Sequence, residues 1–191
     1  MTERPTAVGD TFDPWARGAS LWFTGLSGAG KSTVAVEVAA RLRERGHRVE
    51  ILDGDEVREH LSKGLGFSKA DRDVNVDRIG WVASVLARNG IIAITAAISP
   101  YRATRDAVRA MHDGNFVEIH VATPLEVCEE RDVKGLYAKA RAGEIPEFTG
   151  VSDPYEAPLA PEVVVPTHDR TVAESADLVL DYLDSVGLSA P

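Results

Sequence analysis

The sequence holds one cysteine, Cys128, in 191 residues. That excludes an internal disulfide and a cysteine-built metal site, although not an intermolecular bond. The expected place for Cys128 is as a small apolar filler in a helix, in a reducing compartment. No apolar run approaches the roughly 18 residues that a membrane-spanning helix needs. The longest, IIAITAAIS (Ile91 to Ser99), has the length of a strand. Basic residues are in the minority, 21 against 30 acids, for a net charge of −9. This argues against a broad nucleic-acid-binding face and confines basic side chains to local sites. The first residues, MTERPTAVGDTFDPWARG, lack the apolar centre of a signal peptide and are broken by Pro5, Gly9, Pro14 and Gly18. Residues 1–18 are therefore expected to form a flexible tail, with Trp15 packed down, and 19–191 a single domain. The chain is long enough for one α/β core and short for two. There is no internal repeat and no low-complexity tract. The expected protein is cytoplasmic, with neither membrane nor nucleic acid as a partner.

What the sequence does contain is GLSGAGKST, Gly25 to Thr33. The spacing is G-x-x-x-x-G-K-[ST], filled by Gly25, Gly30, Lys31 and Ser32. A short apolar segment, SLWF, precedes it. A segment with Val34, Val38 and Leu42 at helical spacing follows. Strand, loop and helix are the context that a phosphate-binding loop requires. Glycines let the backbone curl so that successive N–H groups point inward, beside the N-terminus of a helix. Lys31 can reach the outer phosphates, and Ser32 can ligate a magnesium ion that bridges them.

Strand and helix patterns alternate along the chain. HRVEILDGD, IIAITAAIS, NFVEIHVAT and EVVVP read as further strands. Ser68 to Gly90 reads as a helix carrying Val74, Ile79, Val82, Val85 and Leu86, with Gly90 as its stop. Ala103 to Met111 reads as another helix, and Pro124 stands in the first turn of a third. Gly46 is placed to end the first helix, and Thr171-x-x-Glu174 is a capping box for the last. The fold class is thus α/β: a three-layer sandwich with a five-stranded parallel sheet and helices on both faces. Ligands then sit beyond the carboxyl ends of the strands, where the phosphate loop, LDGD and AAIS all fall. Residues 132–160 show no clean period but carry glycines, prolines, aromatics and lysines. They are expected to form a lid.

Strand carboxyl ends also suggest where a phosphate goes. IIAITAAIS ends in serine, and the candidate acids lie on the preceding strand at Asp53 and Asp55. An acid there can orient an acceptor hydroxyl or take its proton. The plainer alternative is that Asp53 ends a strand and Asp55 caps the helix after it. Arg58, Arg72, Arg78 and Arg102 follow strand ends, and arginine suits forked contacts to phosphate or sulfate oxygens. Phe67 stands in a glycine-flanked loop where it can stack on a base.

Together WFTGLSGAGKST, LDGDEVR, LGFSKADRDVNVDR, ISPYR and PLEVCEERDVKGLYAKARAGEIPEFTG, followed by PYEAP, resemble adenylylsulfate kinase from about Gly18 to Thr167. The resemblance implies a P-loop kinase that transfers the terminal phosphate of ATP to the ribose 3′-hydroxyl of adenosine 5′-phosphosulfate. The products implied are ADP and 3′-phosphoadenosine 5′-phosphosulfate, in sulfate activation and assimilation. Carried over by position, Gly25, Ser27, Gly28, Ala29, Gly30, Lys31, Ser32, Thr33 and Arg131 hold ATP, with Arg131 against its adenine. Asp55, Arg58, Phe67, Arg72, Asn75, Ile98, Ser99, Lys134 and Phe148 bind the phosphosulfate, with Phe67 and Phe148 sandwiching its adenine. Lys31, Asp53 and Ser99 are the catalytic candidates, and Ser32 and Asp53 the metal-holding pair for Mg2+. For Ser99, a substrate contact is the simpler role, because in-line transfer needs no phosphoserine relay. A homodimer is implied, with functional coupling to a separate ATP sulfurylase. Two alternatives stand beside this reading: a different small-molecule kinase on the same scaffold, and a nucleotide-binding regulatory module without chemistry.

Overall fold

The computed structural model describes residues 18–188. The expected tail, Trp15 included, lies outside the described residues except for Gly18, which is buried. Five strands, β1 (Ala19–Thr24), β2 (Val49–Asp53), β3 (Ile92–Ala96), β4 (Phe116–Val121) and β5 (Val163–Val165), form one parallel sheet. Their order is β2-β3-β1-β4-β5. The chain crosses from β1 to β2 on one side and later from β3 to β4 on the other. This leaves the crevice beyond β1, where the phosphate loop begins.

β1 is buried along its whole length because helices cover both faces of the sheet. Its period of two sends Leu21 and Phe23 into one core and Trp22 into the other. The first core packs α1 (Lys31–Glu44) and α7 (Val172–Ser185) on the sheet, through Val34, Val38 and Leu42 against Val179, Leu180 and Leu183. The second is smaller. It joins α2 (Gly54–His60), α3 (Lys69–Ala87) and α4 (Arg102–Arg109) through Val57, Val76, Ile79 and Val108, around Trp22 and Phe116. A Cβ at Gly80 would stand 2.5 Å from a Val108 methyl, so glycine there permits the close approach of α3 and α4.

Local signals set the helix ends as expected. Thr171 and Glu174 form the reciprocal capping box of α7. Gly46 adopts φ 91°, and the bonds from its N–H to Arg43 O and from His47 N–H to Leu42 O close α1 in a Schellman turn. Other local details differ from the sequence pattern. Of the aliphatic residues named on α3 only Ile79 is buried, and the buried face runs through Arg72, Asn75, Val76, Ile79, Gly80, Ala83, Ser84 and Ala87. Val74 and Trp81 are exposed. Small and polar residues are buried because this helix packs closely on α4 and also lines the crevice. Asp53, not Asp55, caps α2, its Oδ1 accepting from the Asp55 N–H at 3.0 Å. Residues 132–160, which show no clean period in sequence, contain α6 (Leu136–Arg141), after α5 (Leu125–Arg131). α6 is short, and a single turn and a half shows no period in sequence.

Candidate active site

The phosphate loop has the backbone its glycines permit. Gly28 and Gly30 take φ values of 73° and 101°, and Gly30 opens α1 without a side-chain cap. The first N–H groups of α1 are thus left to a ligand. Lys31 is buried, and its Nζ donates to Gly25 O at 2.9 Å and Leu26 O at 2.7 Å. Burial pushes its ammonium down to about 8, with Lys134 adding to the fall and Cys128, Asp53 and Asp55 countering it only in part. Ser32 Oγ donates to Asp53 Oδ2 at 2.7 Å, so β2 and the loop meet through two oxygen ligands of the kind a hard cation takes. One carboxylate therefore does two jobs: Asp53 caps α2 with one oxygen and holds Ser32 with the other.

The rest of the loop is tied down from two sides. Ala29 O accepts from Thr123 Oγ1 at 2.9 Å and from Thr167 Oγ1 at 2.8 Å. Arg131 donates to Thr167 O at 3.0 Å, placing its exposed guanidinium beside the loop. Thr123 and Thr167 escaped the sequence reading because lone threonines after strands carry no pattern.

Across the crevice lies the second group of expected residues. Arg58 sits 4.5 Å and Arg72 5.6 Å over the ring of Phe67, which is 54% exposed. Arg72 donates to Phe67 O at 2.7 Å and to Glu147 O at 2.6 Å. A single buried guanidinium thereby links the loops that carry Phe67 and Phe148. Asn75 is buried beside it on α3, and its Oδ1 has no hydrogen-bond partner. A native structure seldom leaves such an acceptor empty unless a ligand or water fills it. Lys134 pairs with Asp55, bringing the turn after α5 onto the start of α2. Phe148 follows Glu147, so Arg72 ties its backbone to that of Phe67. It is buried edge-on against Tyr137, with ring centroids 5.0 Å apart.

Ser99 adopts φ 40° and is 3% exposed. Its Oγ accepts from Trp22 Nε1 at 3.1 Å and lies 3.4 Å from Ala97 O. The hydroxyl is therefore engaged on the core side. Ile98 O accepts from Thr24 Oγ1 at 2.8 Å, so this strand end is fixed through both residues. Behind it Arg105, almost fully buried, donates to Ser99 O at 2.7 Å, Glu156 O at 2.6 Å and Glu118 Oε1 at 2.8 Å. Arg109 extends the cluster with a forked pair to Glu162 at 2.7 and 2.8 Å. Tyr101 OH donates to Asp153 Oδ2 at 2.7 Å, and Tyr155 OH lies 3.0 Å from Thr24 Oγ1. The return limb of the lid, 153–156, is thus strapped to the carboxyl ends of the strands. None of these contacts was legible beforehand, since buried arginines and glutamates look like surface residues in sequence.

Among the described residues, no helix is long and apolar enough to cross a membrane. Residues 17–166 match the protein family described as adenylylsulphate kinase. An adenylyl-sulfate kinase from Synechococcus sp. (strain JA-3-3Ab) is 60% identical over 171 residues, covering 90% of this chain and 97% of that one. The solved structure of the Mycobacterium tuberculosis APS kinase in complex with AMPPNP and APS superposes with a TM-score of 0.85. It is 47% identical and covers 88% of this chain and 98% of that one. A hexameric APS kinase from Thiobacillus denitrificans gives 44% identity and a TM-score of 0.72, covering 93% of this chain and 31% of that longer one. With its phosphate loop after β1 of a β2-β3-β1-β4-β5 sheet and residues 17–166 matching the family model, this chain belongs to the adenylylsulphate kinase family.

Proposed function

We propose that this protein is an adenylyl-sulfate kinase, transferring the terminal phosphate of ATP to the 3′-hydroxyl of adenosine 5′-phosphosulfate. The observation that supports the reading is that two neighbouring acids join the two groups of residues. Asp53 touches Ser32 of the phosphate loop, and two residues on Asp55 pairs with Lys134 of the lid, beside Arg58. Lys31 and the open N–H groups of α1 hold the triphosphate, with Thr33 next in the same turn and Arg131 at the adenine. Arg58, Phe67, Arg72 and Asn75 take the phosphosulfate nucleotide, whose anionic groups suit the arginines and whose adenine suits Phe67.

In the transfer, the acceptor 3′-oxygen forms a bond to the γ-phosphorus. The bond from phosphorus to the bridging oxygen breaks, and ADP leaves with that electron pair. Asp53 takes the hydroxyl proton in this reading. Ser32 and Asp53 would hold a magnesium ion carried in with ATP, which supplies charge neutralisation at the phosphates when bound. Ser99 supports the acceptor pocket through its backbone, while its hydroxyl stays with Trp22. Phe148 must leave Tyr137 to cover the acceptor adenine, and that closure excludes competing water.

The finer setting follows from the same reading. The protein acts in the cytoplasm and works on the product of a separate ATP sulfurylase. It forms a homodimer, a reading supported by the exposed Val74 and Trp81, two turns apart on one face of α3. Replacing the acceptor by its 3′-deoxy analogue tests the transfer site: binding is retained and phosphorylation lost. A phosphorylated 3′-deoxy product would reject the 3′-hydroxyl as the target.

A further inference from the structure

Tyr137 has no role in the chemistry described above, yet it touches three parts of the site. Its hydroxyl donates to Ser27 O in the phosphate loop at 2.9 Å. Its ring meets Phe148 edge-on. Its backbone N–H donates to Asp132 Oδ1 at 3.0 Å, and Asp132 Oδ2 accepts from Ala138 N–H at 3.0 Å. This fixes the first turn of α6 to the turn that carries Lys134. The ring is 3% exposed, so it cannot shift without moving its neighbours. Burial also raises its phenol above the usual tyrosine range, which keeps the hydroxyl a donor.

The phosphate loop has a reason to move. In the structure Lys31 is held by the carbonyls of Gly25 and Leu26, directly before Ser27. Phosphate oxygens are far better partners for an ammonium than neutral carbonyls. Their arrival draws Lys31 away and lets the Gly25–Ser27 backbone readjust. The Tyr137 hydroxyl rides on Ser27 O, and Phe148 rides on the Tyr137 ring.

We infer that Tyr137 is a positioning residue that couples the two sites, so that triphosphate in the phosphate loop releases Phe148 from its buried place to cover the acceptor nucleotide. The inference rests on the proposed assignment of the two pockets. Coupling of this kind is reciprocal: each ligand tightens the other by the same factor.

The test uses the full chain and its Tyr137→Phe variant, which keeps the ring and loses only the hydroxyl. The dissociation constant of adenosine 5′-phosphosulfate is measured with and without a non-hydrolysable ATP analogue, and that of the analogue with and without the phosphosulfate. In the wild type each ligand tightens the other. In the variant the coupling factor falls by about two- to tenfold, the worth of one neutral hydrogen bond. A thermal melt confirms folding. A double-mutant cycle adds Phe148→Leu: in the Tyr137→Phe background it leaves the remaining coupling unchanged. Equal coupling in wild type and Tyr137→Phe overturns the inference, as does a wild type in which the two ligands bind independently. A wild-type chain that binds no phosphosulfate under either condition removes the pocket assignment itself. That result is distinct from uncoupled binding of both ligands, which removes only the role of Tyr137.

Discussion

Lys31 offers a prediction with a number attached. Its ammonium sits at about 8 because burial removes water from it, an effect that nearby Cys128, Asp53 and Asp55 counter only in part. Phosphates bring negative charge to within contact, so its pKa returns toward the ordinary lysine value of about 10.4 when nucleotide binds. Binding must then take up protons. At pH 8 about half of the empty chains lack the Lys31 proton, so uptake is about 0.5 proton per nucleotide; at pH 7 it is about 0.1 and at pH 9 about 0.9. Affinity falls by up to about tenfold per pH unit above 8, levelling off near 10.4. The nucleotide itself contributes little there, since a phosphate's last ionisation lies near pH 6. The same shift has a sign for stability. Between about 8 and 10.4 the unfolded chain holds more protons than the folded one, so the empty protein gains stability as pH rises through that window. Calorimetric titrations in two buffers of different ionisation enthalpy read the proton count directly. Lys31→Arg, which does not titrate, should abolish the uptake. Wild-type binding without proton uptake between pH 7 and 9 would refute the account of Lys31.

Other outcomes follow from the contacts around it. Asp53→Asn keeps a good cap on α2, so its melting temperature should stay within a few degrees, while turnover falls at least about 100-fold with nucleotide still bound; a turnover near wild type would remove Asp53 from the chemistry. Ser99→Ala should retain turnover within about tenfold, because Ser99 Oγ is committed to Trp22; a complete loss from folded protein would restore a covalent role for the serine. Arg105→Met leaves buried Glu118 with only Arg109, at 3.4 Å, as an ion-pair partner, and should cost up to about 3–5 kcal/mol in denaturant unfolding; a cost below about 1 kcal/mol would show that the cluster is better hydrated than its burial implies.

Much of this architecture was legible in the sequence, for reasons tied to particular residues. Gly25, Gly30 and Lys31 announce a loop whose backbone only glycine can follow. β3 reads as a central strand because both of its faces are covered. The capping box at Thr171 is local chemistry, and local chemistry survives in sequence. The core face of α3 was hidden because Arg72, Asn75 and Gly80 are buried for the sake of the crevice and of α4, not for hydrophobicity. Phe148 was placed by resemblance in the substrate pocket. Its edge-on contact with Tyr137 is set by the tertiary path of the lid, which no periodicity reports. The cluster of Arg105, Arg109, Glu118 and Glu162 shows the same limit: charge patterns in sequence do not say which side chains will find buried partners.

The central claim is the fate of the phosphate, and ADP release from Mg–ATP with and without adenosine 5′-phosphosulfate tests it most directly, with the nucleotide product identified by mass. The account predicts ADP only when the phosphosulfate is present, in equal amount to a product one phosphate heavier than the acceptor. Folded protein that binds ATP but releases no additional ADP with the phosphosulfate would contradict it, and would leave the phosphate loop with a different acceptor.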